Sequence, residues 1–152
     1  MKKKLIQRAL FPYWRLTRGM TFGVQGAIVR GGSEVLLIRH GYRPGWHFPG
    51  GGVEWGETLL TALAREVEEE TGVVVQGEPR LHGVFANFQT APSDHVAVYV
   101  VEAWQQPRVP EPTFEIEEHR FFPVSALPDE IARGTRARIA EIFEGEALSE
   151  HW

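Results

Sequence analysis

Residues 51–73 read GGVEWGETLLTALAREVEEETGV, and the reading of this stretch decides the rest of the chain. Arg65 is followed within five positions by Glu66, Glu68, Glu69 and Glu70. Carboxylates this close repel one another, so a fold that gathers them also gathers cations, and hard oxygen donors suit Mg²⁺ or Mn²⁺. Thr58 to Thr71 has the spacing of a helix, with Gly72 placed to stop it. Taking Leu60 as zero and 100° per residue, Leu59, Leu63 and Val67 fall at roughly 260°, 300° and 340°, one apolar stripe. Glu66, Glu69 and Glu70 fall at roughly 240°, 180° and 280°, along a flank of that stripe, whereas Glu68 at roughly 80° points to solvent. Carboxylates beside a core must be paired, protonated or metal-bound. Arg65 can neutralise one of them, and divalent cations answer for the others. A solvated acidic face is the ordinary meaning of such a run. The glycine-rich turn before it, the adjacent arginine and the closing glycine favour phosphate chemistry instead.

Outward from this segment, the 152 residues suffice for one domain with a hydrophobic core. Hydrophobic residues make up 43% and charged residues 24%, the balance of a globular protein. There is no cysteine, which excludes disulfides, thiolate nucleophiles and thiolate zinc sites and fits a cytoplasmic location. Net charge is −4, unevenly spread. Residues 1–19 carry Lys2, Lys3, Lys4, Arg8, Arg15 and Arg18 and no acid, and are read as a basic extension to a single domain over 20–152. Pro12 breaks the helical spacing of the arm, whose aromatic residues are expected to pack on the body; an arm for a membrane surface or nucleic acid is the alternative. The acidic body argues against a duplex-binding surface. No apolar run reaches the length of a membrane span.

Strands are expected at Thr21–Arg30 and Glu34–Arg39, joined by a turn at Gly31–Gly32, then at about Leu81–Phe88, His95–Trp104 and Glu115–Phe122. Gly41–Pro49 reads as a loop and Asp129–Phe143 as a last helix. Strands outnumber helices, and their connections vary in length. The expected fold class is therefore α/β or α+β, an α/β/α sandwich with a mixed sheet. No glycine-lysine-serine/threonine follows Gly50–Gly52, so the run is not a P-loop. His40, His47, His82 and His95 stand apart and read as satisfied or exposed rather than as ligands. Tyr42, Trp46, Phe85 and Phe88 are candidates to stack on a nucleobase, with core packing the alternative. Arg43 is a candidate phosphate contact.

The segment resembles the Nudix box, Gly-x5-Glu-x7-Arg-Glu-apolar-x-Glu-Glu-x-Gly-apolar, at Gly51, Glu57, Arg65, Glu66, Val67, Glu69, Glu70, Gly72 and Val73. The likeness to the Nudix (MutT-like) hydrolase family continues through TFGVQGAIVRGGSEVLLIRH, WHFPGG and HRFFPVSALP, over about residues 20–145. It implies an α/β/α sandwich and Mg²⁺- or Mn²⁺-dependent hydrolysis of a nucleoside diphosphate linked to another group, such as a nucleoside triphosphate or a nucleotide sugar like ADP-ribose. It implies metal ligands at Glu66, Glu69 and Glu70 and at the Gly50 carbonyl, with Arg65 orienting the glutamates and Glu57 supporting that arginine. The catalytic base is expected at Glu69 or Glu66, with Glu117 or Glu118 as candidates outside the box. Sub-signatures of substrate are not met: Phe88 and Gln89 stand where ADP-ribose pyrophosphatases often carry proline, and Thr90 and Ala91 where dinucleoside-polyphosphate hydrolases often carry tyrosine. A catalytically silent nucleotide-binding regulator on the same fold is the alternative, and oligomeric state, a homodimer included, is left open.

Overall fold

The computed structural model describes residues 12–13 and 16–152; the readings made for the basic arm fall mostly outside these. The chain runs β1 (Thr21–Arg30), β2 (Glu34–His40), β3 (Trp46–His47), β4 (Gly50–Gly52), α1 (Leu59–Thr71), β5 (Val74–Val75), β6 (Arg80–Ala86), β7 (Asp94–Val101), β8 (Trp104–Gln105), β9 (Ile116–Pro123) and α2 (Arg133–Ile139), which passes into a π-helical turn at Ala140–Glu144. The main sheet has the order β3-β2-β1-β7-β6, with β4 paired to β1 and β9 to β2. Only β1 and β7 run parallel, in register from Thr21 opposite Asp94 to Ile28 opposite Val101, so the sheet is mixed. A second, two-stranded sheet joins β5 to β8.

The period-two alternation of the strands sorts their side chains onto two faces. Val24 and Ile28 of β1, Leu36 of β2 and Ala97, Tyr99 and Val101 of β7 form one core with Ala62, Leu63 and Val67 of α1. Ala27, Val35, Leu37, Val96 and Val98 point the other way and pack with Trp46, Phe48, Phe85, Phe122 and Ile139 of α2. A helix on each face makes the expected α/β/α sandwich. Among the described residues no helix is long and apolar enough to cross a membrane.

The expected boundaries hold for β1, β2 and α1, and differ where tertiary partners intervene. The strand expected at His95–Trp104 is cut at Val101; a bend at Ala103 turns Trp104 and Gln105 out to pair with β5. The Trp104 indole N–H then donates to the Val29 carbonyl at 2.8 Å. β6 stops at Ala86 because Asn87 opens a turn whose carbonyl accepts from the Thr90 N–H. The loop expected over Gly41–Pro49 contains β3. The helix expected from Asp129 starts at Arg133, since Glu130 to Ala132 is held extended beside Trp46 by two backbone hydrogen bonds of 2.8 and 2.9 Å.

One buried ion pair links α2 to the far sheet. Arg138 is 1% exposed; its Nε and Nη2 donate to the two Glu141 carboxylate oxygens at 2.7 and 2.6 Å. His82 Nε2, from β6, donates to Glu141 Oε2 at 2.8 Å, and the Ser149 N–H adds 3.0 Å. Burial alone would raise the Glu141 carboxyl, but these donors outweigh it and hold it below the usual carboxylate range. The Arg138 guanidinium also lies 3.9 Å from the Phe85 ring centroid. Removing one partner of such a pair leaves a buried charge uncompensated. Arg138→Met is therefore expected to lower stability by about 3–5 kcal/mol, read as a fall in the urea midpoint at unchanged m-value.

Candidate active site

Thr58 caps α1, its hydroxyl accepting from the Thr61 N–H, and Gly72 ends the helix in the left-handed region at φ 72°. Between these caps the predicted phase is seen. Val67 and Leu63 are buried, Glu70 is 8% exposed on the same side, and Glu68 points to solvent. Leu60, in the first turn, is half-exposed.

Strand β4 brings the glycines against this helix. Gly50 pairs with Gln25 of β1 at φ 150°, where a Cβ would collide with the Val24 carbonyl. Its N–H donates to Glu70 Oε2 at 2.7 Å. Gly51 lies so close to Glu66 that an added Cβ would sit 2.6 Å from either carboxylate oxygen. Both carboxylates are thus seated on bare backbone, a fit that any side chain at Gly51 would fill.

Arg65 organises the flank. Its Nε and Nη2 donate to the two Glu57 oxygens at 2.7 and 2.9 Å, Nη1 donates to Glu66 Oε1 at 2.7 Å, and Nη2 reaches the Gly52 carbonyl at 3.2 Å. Hydrogen bonds from Arg65, helped by the Glu54 N–H at 3.0 Å, pull the Glu57 carboxyl down to about 2. The same bonds to Glu57 and Glu66 raise the Arg65 guanidinium above its ordinary value. Glu69 is the exposed member of the trio, 3.6 Å from Arg65 Nη1. Glu70 is different. Burial pushes its carboxyl up to about 8, with the charges of Glu66 and Glu115 adding to the shift and the Gly50 N–H and Arg43 opposing it. It forms no ion pair with a basic side chain among the described residues.

As the side chains stand, no three acidic or imidazole groups among the described residues converge closely enough to hold an ion. The donor set nevertheless fits a divalent cation: Glu70 is a buried carboxyl whose charged form meets no basic side chain among the described residues, Glu66 lies on the same side of α1 one turn before it, and both are hard oxygen donors.

Glu117 and Glu118, on β9, line a cavity of about 360 Å³ together with Glu69 and Glu70, closed by the loop Val109–Thr113. The sequence could not show this proximity, which β9 creates by pairing with β2. Both glutamates are engaged by Arg39, at 3.4 and 3.2 Å. A second cavity of about 420 Å³ is lined by Gln25, Arg43, His47 and Asn87 among others. Arg43 and Glu117 both line a third recess of about 360 Å³, so it has a residue in common with each of the other two. Arg43 thus borders two of the three. The aromatic candidates divide. Trp46, 4% exposed and packed edge-on to Phe122 at 4.8 Å, and Phe85, 0% exposed, are core residues whose rings have no free face for a base. Phe88 is exposed, but its ring meets His95 and His151 rather than the cleft. Sequence reading passed over Gln25, a polar residue on the face of β1 that carries Ala27.

A profile of the NUDIX domain matches residues 20–142. The crystal structure of a MutT NUDIX hydrolase from Burkholderia pseudomallei superposes with a TM-score of 0.68 at 34% identity, over 78% of this chain and 95% of that one. An ADP-ribose pyrophosphatase of Methanocaldococcus jannaschii is 34% identical over 97 residues, 62% of this chain and 56% of its own length. A MutT-like protein of Streptomyces ambofaciens is 44% identical over 64 residues, 42% of this chain and 41% of its own. The match thus spans about half the length of these curated relatives. The chain belongs to the Nudix (MutT-like) hydrolase family.

His40 borders the cleft. Arg43 Nη2 donates to its Nε2 at 3.2 Å, which requires a neutral ring. Burial, then the charges of Arg43 and His47, depress it to about 4, against a weaker upward pull from the Glu115 backbone. A histidine ionising near 6.5 unfolded and near 4 folded takes up its proton more readily in the unfolded chain. Stability contributed by the neutral ring is full above pH 6.5 and is lost as pH falls toward 4. Melting curves from pH 7 to pH 4 are expected to fall less steeply for His40→Gln than for the native protein.

Proposed function

We propose that this protein is a metal-dependent hydrolase that cleaves the pyrophosphate bond of a nucleoside diphosphate linked to another group, a nucleoside triphosphate or a nucleotide sugar. The observation that carries this reading is the seating of Glu66 and Glu70 on the bare backbone of Gly50 and Gly51, with Glu70 buried and paired to no basic side chain among the described residues. Family membership and the pyrophosphatase named among the relatives support it.

Glu66, Glu69, Glu70 and the Gly50 carbonyl are the groups that would hold Mg²⁺ or Mn²⁺. When bound, the ion neutralises the diphosphate, polarises phosphorus and lowers the pKa of the attacking water. The chain's own residues do the rest. Arg65, locked bidentately to Glu57, fixes the Glu66 carboxylate and leaves it little freedom to swing away. Arg43, at the junction of the cavities, takes a non-bridging phosphate oxygen and holds the diphosphate beside α1. Glu69, exposed to the cleft, accepts the proton of the attacking water. Glu117 and Glu118 face the same space as alternative acceptors, each paired with Arg39. The loop Val109–Thr113 lines the same cavity.

Glu69→Gln is isosteric and exposed, so folding should be untouched while turnover falls about 10²–10⁴-fold. The measurement is phosphate release from a panel of nucleoside triphosphates, nucleoside diphosphates and nucleotide sugars with Mg²⁺ or Mn²⁺, products resolved to show which bond breaks. Unchanged turnover in the variant overturns the assignment of Glu69. Tight nucleotide binding with no release by the native protein overturns the hydrolytic reading in favour of a sensor.

A further inference from the structure

Arg43 reaches the cleft with its charge uncompensated. It is exposed, and among the described residues it forms no ion pair. Glu117 and Glu130 line a recess with it, yet neither pairs with it; Glu117 is held by Arg39 at 3.4 Å instead. Among the described residues the only hydrogen bond of the Arg43 side chain runs from Nη2 to His40 Nε2, at 3.2 Å. A guanidinium carries five N–H donors, so the rest remain for a ligand.

His40 is a firmly held partner for it. The residue is 5% exposed, and its ring packs against those of Tyr42 at 5.0 Å and His47 at 5.7 Å. Its place comes from an irregularity in the ladder. Strands β2 and β9 run in step from Glu34 opposite Pro123 to Arg39 opposite Glu118; then Glu117 is skipped, and His40 stands opposite Ile116. Such a bulge bends the strand and re-aims the side chains beside it. The next residue, Gly41, donates its N–H to the Glu115 carbonyl at 3.1 Å, and a Cβ there would collide with the Phe114 carbonyl. The loop that carries Arg43 therefore leaves β2 at a pinned point.

The chemistry of the contact is as specific as its place. A guanidinium only donates, so Nε2 offers its lone pair and the ring is neutral. Nδ1 is shielded from solvent and has no hydrogen-bond partner among the described residues, so the polar contact of this ring is made wholly with Arg43. A carboxylate at this position would grip Arg43 more strongly, but it would also cancel the charge. A neutral imidazole orients the guanidinium and leaves its charge whole.

We infer that His40 is a positioning residue: its neutral ring holds the Arg43 guanidinium by one edge, so that the remaining N–H groups meet an anionic diphosphate in the cleft already oriented. The inference rests on the reading of the cleft as a diphosphate site, yet it is tested by binding alone. The probe is methylenediphosphonate with Mg²⁺, a diphosphate whose bridge resists hydrolysis, measured by titration calorimetry. His40→Phe keeps a ring and loses the acceptor, and is expected to weaken binding about tenfold, the scale of one hydrogen bond to a charged group. His40→Gln, which restores a neutral acceptor, should return affinity to within about threefold of native. In an Arg43→Ala background, His40→Phe should have no further effect, because the two side chains act as one unit. Native affinity in His40→Phe overturns the inference, as does the same loss with or without Arg43, or a native protein that does not bind the probe. If His40→Phe fails to fold, nitrogen-15 spectra of the native imidazoles decide: a proton on His40 Nδ1 supports the inference, and a proton on Nε2 overturns it. Hydrolysis by a protein whose affinity ignores His40 would leave the catalytic reading standing and sink this one; His40-dependent binding without hydrolysis would do the reverse.

Discussion

The site depends on one guanidinium. Arg65 reaches back to Glu57, across to the Gly52 carbonyl and forward to Glu66, so a single planar group ties the glycine-rich turn to the helix that follows it. Without that brace, Glu57 and Glu66 would repel each other, and the β1–β4 ladder with the Gly50–Glu70 hydrogen bond would alone tie the turn to the helix. The fork geometry of arginine matters: a lysine in its place could meet one of these partners but not span three. The exposure of Glu69 follows from the same arrangement, because the guanidinium is already committed to its neighbours.

A second constraint is the register between β1 and β4. It places Gly50 opposite Gln25, so the glycine whose N–H holds Glu70 is also the ladder partner of a residue that lines the second cavity. The cleft is divided chemically. Acidic groups of α1 and β9 line one part, and arginines, amides and an imidazole line the other. Arg43 stands at the boundary, where an anionic linker between two dissimilar halves of a substrate would pass.

Much of this was legible in the chain, and the limits have physical causes. The phase of Glu66, Glu69 and Glu70 is a local property of helical geometry, so three of the four acids could be told from Glu68 before any fold was known. The long strands β1, β2 and β7 announced themselves because they alternate between two buried faces, whereas β3 and β4, of 2 and 3 residues, are too short to show a period. What stayed hidden depends on who meets whom. Trp46 and Phe85 look like free rings in the sequence and are core because α2 packs over them. Glu117 and Glu118 reach the cleft only through the pairing of β9 with β2. Gln25 left a faint signal, an amide within an otherwise apolar strand, but the lack of a partner for its buried Oε1 is visible only once the neighbours are in place. Arg138 and Glu141 stand three apart on a helical pattern, the spacing of an ordinary surface pair; nothing local reveals that His82 completes them from the far edge of the sheet.

The segment after α2 has a consequence for how the molecule breathes. The Ala86 N–H donates to the Glu150 carbonyl and the Trp152 N–H to the Ala86 carbonyl, while Arg138 Nη1 holds the His151 carbonyl at 3.0 Å. The Trp152 side of the second cavity is thereby stitched both to a sheet edge and to a buried charge cluster. Such a wall does not fray as an independent surface loop would. Its amides should exchange with solvent in step with those of β6 and α2, as one cooperative unit. A cavity bounded this way keeps its shape between encounters, so a ligand entering it need order little of its wall.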